Sequence, residues 1–181
     1  MALAPGTHNL GPAQGSLRIR TKRTGAAAKA GHDLLIEVTS WSGTLEVGRD
    51  PDSSSVALSA DGGSLRVREG TGGIQALGDE EKEGISKTID DEVLKRSAIE
   101  FQSTSVDGDP GGRRLRVQGE LELMGRRRPT QLALEIADDG KLTGSATVKQ
   151  SDWGIKQYSI LFGTIKVADE VEVTIAADLE R

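Results

Sequence analysis

The sequence predicts an all-β protein, an antiparallel sandwich or up-and-down barrel, and three observations carry that prediction. Residues 113–123 read RRLRVQGELEL, with Leu115, Val117, Leu121 and Leu123 on one parity and Gly119 in their row. Successive side chains of a strand point to opposite faces, so this is a strand with one dry and one wet face. The next segment copies it, Leu132, Leu134 and Ile136 alternating with Gln131, Ala133, Glu135 and Ala137. Similar segments recur along the whole chain, about eight or nine of them, mostly joined by turn residues.

Taken in order, residues 16–22 alternate Leu17, Ile19 and Thr21 with Arg18, Arg20 and Lys22. Residues 24–32 are rich in small residues and read as a loop or a short helical turn through Ala26–Ala30. Strands follow at 34–38 and 44–48 around a corner at Trp41–Gly43, then at 55–60 and 64–68 about Asp61-Gly62-Gly63, a strong turn signal. Residues 79–96 break the period of two. Ile85, Ile89 and Val93 form a helical stripe, acids open the segment, and Lys95 and Arg96 close it in line with the helix dipole. Strands resume at 98–106 and, through a turn at 107–112, at 113–123. GRRRP (125–129) is the expected turn to the next strand, with Pro129 starting the return. Residues 141–150, 164–167 and 170–179 complete the set, and 151–163 is a long excursion holding Trp153, Tyr158 and Phe162.

Composition narrows the function. The 181 residues fit one domain, 1–181. A net charge of −5 with interspersed signs offers no basic field for nucleic acid. Without cysteine there is no disulfide, thiolate nucleophile or Cys-based metal site. No run reaches the ~18 apolar residues of a membrane span. The first residues lack the basic and apolar regions of a secretion signal, so a cytoplasmic protein is expected.

Residue chemistry offers catalysis little. One could imagine His32 beside Asp33 as an imidazole–carboxylate base, but a polar residue at a loop end is the better explanation. The acidic runs 79–83 and 90–92 lack the spaced ligands and central glycine of a calcium loop. Arg126–Arg128 suit a phosphate or simply an exposed turn, and Ser151-Asp152-Trp153-Gly154 is not a nucleophile elbow. More informative are the inward rows Leu115, Val117, Gly119, Leu121 and Leu142, Gly144, Ala146, Val148. Small residues within such rows leave space, and barrels of about eight strands are at the size that is either filled or holds one small ligand. A plug formed by the helix or by 151–163 is the alternative to a cavity.

The order of the pieces resembles the YceI-like family, the lipocalin-like polyisoprenoid-binding proteins of bacteria. The resemblance is carried by GTHNLGPAQGSL (6–17), WSGTLEV (41–47), IEFQSTSV (99–106), RVQGELELMGRRRPTQLALEI (116–136), SATVKQSDWGI (145–155) and VADEVEVTIAADLE (167–180). Gly11 and Gln14 depart from the family's usual Asp and His, and the stretch 71–98 has lost its aromatics. The resemblance implies an antiparallel, lipocalin-like extended β-barrel of about eight strands with one or two covering helices. It also implies a hydrophobic tunnel for an isoprenoid or fatty chain.

On this reading the partner is a hydrophobic small molecule, with no cofactor, no metal and no catalytic residue. Phe101, Leu115, Val117, Gly119, Leu121, Leu132, Leu134, Ala146 and Val148 are expected to line the tunnel, and Trp153, Tyr158, Ile160 and Phe162 to lie near one end. Gly119→Leu and Ala146→Leu are expected to fill it. Two other classes stay open: an isomerase or cyclase using His32 and Asp33 or Tyr158 at the mouth, and a ligand-free stress or assembly protein working as a homodimer.

Overall fold

The computed structural model describes residues 5–109 and 113–179; Pro110–Gly112 of the expected turn at 107–112 lie outside them. The chain runs β1 (Gly6–Leu10), β2 (Gly15–Arg20), β3 (Arg23–Thr24), β4 (His32–Val38), β5 (Trp41–Val47), β6 (Ser55–Asp61), β7 (Leu65–Gly72), α1 (Asp79–Thr88) and β8 (Ala98–Gly108). It continues through β9 (Arg114–Leu123), β10 (Arg126–Ile136), β11 (Lys141–Lys149), β12 (Ser159–Ile160), β13 (Ile165–Val167) and β14 (Glu170–Asp178). Eleven strands form one antiparallel, strongly curled sheet in the order β1-β5-β6-β8-β9-β10-β11-β14-β2-β4-β7, and β12, β13 and β3 form a small second one.

The sheet therefore has more strands than the expected eight or so; β1 (Gly6–Leu10), paired with β5, was not among the expected segments, and the sheet also turns a corner. β6 and β7 do not pair with each other; β6 lies between β5 and β8, while β7 pairs with β4. The turn signal at Asp61–Gly63 marks a bend rather than a hairpin, and a matching bend at Thr39–Ser40 separates β4 from β5. Buried Ser64 pins the two together. Its hydroxyl oxygen accepts the Ser40 N–H at 3.1 Å, and its carbonyl accepts the Thr39 N–H at 2.9 Å.

The hairpin after β9 is also tighter than expected. Its turn is Met124-Gly125 alone, both at positive φ (52° and 70°), the geometry that matches the twist of a two-residue hairpin. The three arginines belong to β10, where Arg127 stands opposite Glu122 and bonds it at 2.7 Å. That contact holds the Arg127 guanidinium above its ordinary pKa.

The helix caps an edge. β7 ends the sheet, and its Val67 N–H donates to the buried Ser86 hydroxyl of α1 at 2.9 Å, which gives an edge donor a partner. A wider helical turn at Ile89–Val93 follows, and its buried Asp90 takes Arg66 of β7 at 3.1 Å. Helical winding stops there rather than at Arg96, because Lys95 and Arg96 adopt positive φ (50° and 54°). Ile85, Ile89 and Val93 pack against the core, as their spacing predicts.

Candidate functional site

Inside the curl lies a cavity of about 740 Å³, walled almost wholly by apolar side chains. That is within the range of small-molecule sites. The sheet contributes inward rows such as Leu132 and Leu134 of β10, Ala146 and Val148 of β11, and Val171, Val173 and Ile175 of β14. Ile85 and Ile89 of the helical segment close the open side. Neither that segment nor 151–163 plugs the space; both form part of its wall.

The expected lining divides in two. Phe101, Leu121, Leu132, Leu134, Ala146, Val148, Tyr158 and Ile160 border the cavity. Leu115, Val117, Gly119, Trp153 and Phe162 do not. Leu115 and Val117 are buried in a packed part of the core, Val117 completely. Gly119 is covered: a Cβ there would stand 2.5 Å from the Phe101 ring and 2.4 Å from the Gln102 carbonyl. Gly144 is covered likewise, by Leu134 and Ile175. Glycines in the inward rows thus admit a neighbour's side chain instead of leaving a void. Phe162 is fully exposed at positive φ (54°).

Trp153 is buried on the far side of the wall, where its indole N–H donates to the Leu121 carbonyl at 2.9 Å. It anchors a turn that is structural throughout. The Ser151 N–H and hydroxyl both donate to the Asp169 carboxylate, at 2.8 and 2.5 Å, and Gly154 closes the turn at φ 75°. The Ser151 hydroxyl bond holds the Asp169 carboxyl below its ordinary pKa, with the Ser151 N–H and the Lys149 charge adding to it. The arginines of β10 are likewise engaged: Arg128 Nε donates to the Asp152 carbonyl at 3.2 Å, and the Arg126 guanidinium lies against Gly154.

Polar groups collect at one end, where the start of β4, the end of β7 and the small sheet meet. Arg23, His32, Glu81, Tyr158 and Lys166 border the cavity there. His32 Nε2 lies 2.7 Å from the Gln75 carbonyl, an acceptor only, so that nitrogen carries the proton. Asp33 points elsewhere, accepting the Arg23 N–H at 2.8 Å with Lys22 at 3.6 Å. His32 and Asp33 therefore do not form the imidazole–carboxylate base that their adjacency suggests. Among the described residues no group of three or more His, Cys, Asp or Glu could hold a metal ion. No described helix is long and apolar enough to cross a membrane.

Reasoning from sequence missed several walls. The rows of β2 and β4 (Ile19, Leu34, Ile36) and the charged mouth residues Arg23, Glu81 and Lys166 were not assigned to the site, although the alternation of β2 and β14 was visible. Nothing local says that β14, β2 and β4 close the same space as β9 and β10.

A curled antiparallel sheet around one apolar cavity is the build of a lipocalin-like barrel. The YceI-like domain matches residues 9–179, and the chain belongs to that family. Among solved structures it is similar to BcnA of Burkholderia cenocepacia, at 15% identity over 90% of this chain and 94% of that one, with a TM-score of 0.63. It is also similar to the YceI protein of Campylobacter jejuni, at 13% identity over 81% and 84%, with a TM-score of 0.55. At these identities the likeness is one of fold. No curated protein matches the chain.

Proposed function

We propose that the protein binds a hydrophobic small molecule, an isoprenoid or fatty chain, in this cavity and acts as a carrier rather than a catalyst. The supporting observation is the apolar wall of a space of about 740 Å³. Moving an apolar chain from water into it gains roughly 25 cal/mol per Å² removed from solvent. The test is displacement of a fluorescent fatty probe, read alongside thermal melts. Ala146→Leu, whose side chain enters the cavity, should weaken binding ~10-fold or more while the protein still folds. The outward Gln118→Leu and Glu120→Gln should leave binding alone. A protein that takes up no probe, or binds it equally well with Leu at 146, would remove the cavity as the ligand site.

A further inference from the structure

The barrel wall is split between β10 and β11. Their ladder holds only from Ala133↔Ser145 to Ile136↔Leu142. On the other sides both strands stay paired further: β10 with β9 from Arg126 to Glu135, and β11 with β14 from Lys141 to Lys149. Beyond Ala133 and Ser145 the two strands therefore part. Pro129 lies in the parted stretch and has no N–H for a second neighbour. An outer crevice follows the split, and three residues, Thr130, Leu132 and Ala146, border both this crevice and the inner cavity. The wall there is one side chain thick.

One of those three is polar. Thr130 shares the inward parity of Leu132 and Leu134, yet its hydroxyl oxygen is buried and has no hydrogen-bond partner among the described residues. Thr21, another threonine of the cavity wall, differs: its hydroxyl accepts the Leu34 N–H at 3.3 Å. A buried hydroxyl without a partner destabilises the fold, and valine would fill the same volume in a strand without that cost. The three shared side chains carry no charge, and in the outer crevice Arg116 and Lys149 are outnumbered by Asp152, Glu170 and Glu172, so a carboxylate brought to Thr130 would lose hydration without meeting a net positive charge. The oxygen is covered from the cavity as it stands, and rotation about the Thr130 Cα–Cβ bond, exchanging hydroxyl and methyl, would turn it to the cavity, where a neutral ligand oxygen would supply the missing partner.

We propose that the ligand carries a neutral hydrogen-bonding oxygen, as in an alcohol, ester or amide, which Thr130 holds at the split between β10 and β11 while the apolar chain fills the cavity. This rests on the reading of the cavity as a ligand site, and it adds what kind of polar group the ligand bears and where that group sits.

The experiment compares dodecane, dodecanol and dodecanoate as competitors of a fluorescent fatty probe, on wild type, Thr130→Val, Thr130→Ser and the outward control Thr143→Val. Wild type should prefer dodecanol to dodecane by ~2–10-fold, the worth of one net hydrogen bond. Thr130→Val should abolish that preference, keep the affinity for dodecane and melt no lower than wild type. Thr130→Ser, which retains the hydroxyl, and Thr143→Val should both keep the preference. The proposal is overturned by an alcohol preference that survives Thr130→Val, by no preference in wild type, or by dodecanoate outcompeting dodecanol through Thr130. If dodecane still binds in those cases, the cavity reading stands without it. If no competitor displaces the probe, both fall together.

Discussion

The inward row of β9 has two halves of nearly the same composition and different surroundings. Leu115 and Val117 sit in close-packed core, Val117 opposite Val106 and Leu115 opposite Leu134. Leu121 and Leu123 border the cavity. All four are buried, and all four follow one alternation. Periodicity fixes which face a side chain takes, because backbone geometry fixes it. Whether that face meets another side chain or a void depends on how far the sheet curls and on what reaches across. Here little does. The chain has two Phe, two Trp and one Tyr. Trp41 and Trp153 are buried without bordering the cavity and Phe162 lies in solvent, leaving Phe101 and Tyr158 as the aromatics bordering the cavity among the described residues.

The largest expected effect comes from truncation in the packed half. We predict that Leu115→Ala costs ~2–5 kcal/mol, since it removes a buried side chain and the apolar contacts it makes. Its effect on probe affinity should be small. Leu121→Ala, in the half that borders the cavity, should cost less than half as much and change probe affinity instead. Chemical denaturation measures the first quantity and probe titration the second. Equal stability costs for the two variants would mean that the halves do not differ in packing.

Much of the fold was legible because it depends on local chemistry. Most strands, though not β1 or the first residues of β10, the helical stripe of Ile85 and Ile89 and the wet outer face follow from side-chain spacing. What was illegible depends on contacts remote in sequence. Asp61-Gly62-Gly63 reads as a hairpin turn, and only the partners of β6 and β7 make it a corner. Tyr158 and Phe162 look alike in the sequence, yet one borders the cavity and the other does not. Gly119 and Gly144 looked like sources of empty space, and larger neighbours lie over both.

A second, smaller effect tests that last point. A methyl group at Gly119 meets the Phe101 ring and the Gln102 carbonyl well inside contact distance. Gly119→Ala should therefore overpack the wall at ~1–3 kcal/mol. Probe affinity should fall only so far as Phe101 is pushed into the cavity. Ala146→Leu should show the reverse balance, with lost binding exceeding lost stability. Melting midpoints and probe titrations on the two variants separate these outcomes. A Gly119→Ala protein as stable as wild type would show that the ring yields freely, and that the covered half of β9 is looser than its burial implies.

The smallest effect is expected outside both halves, at the turn that carries Trp153. Its Asp169 carboxylate receives two donors from Ser151, and the first of them, the hydroxyl, does most to hold its pKa below the ordinary 3.8. A carboxyl depressed in the folded state adds stability above its unfolded pKa of about 3.9, and that stability is lost as pH falls through the lower folded value. Wild type should therefore melt slightly above Asp169→Asn at about pH 7, by a margin steady down to about pH 5 that then shrinks and closes in the acid range below the ordinary carboxylate value. Solvent around so exposed a carboxylate keeps the margin small. Melting curves of the two proteins across that range measure it, and a margin that grew toward acid would reverse the sign and refute the pairing. Asp169 does not border the cavity, so probe affinity at neutral pH should be the same in both. A clear loss of affinity in Asp169→Asn would mean that the turn transmits strain through Trp153 to the Leu121 half of β9, whose carbonyl the indole holds.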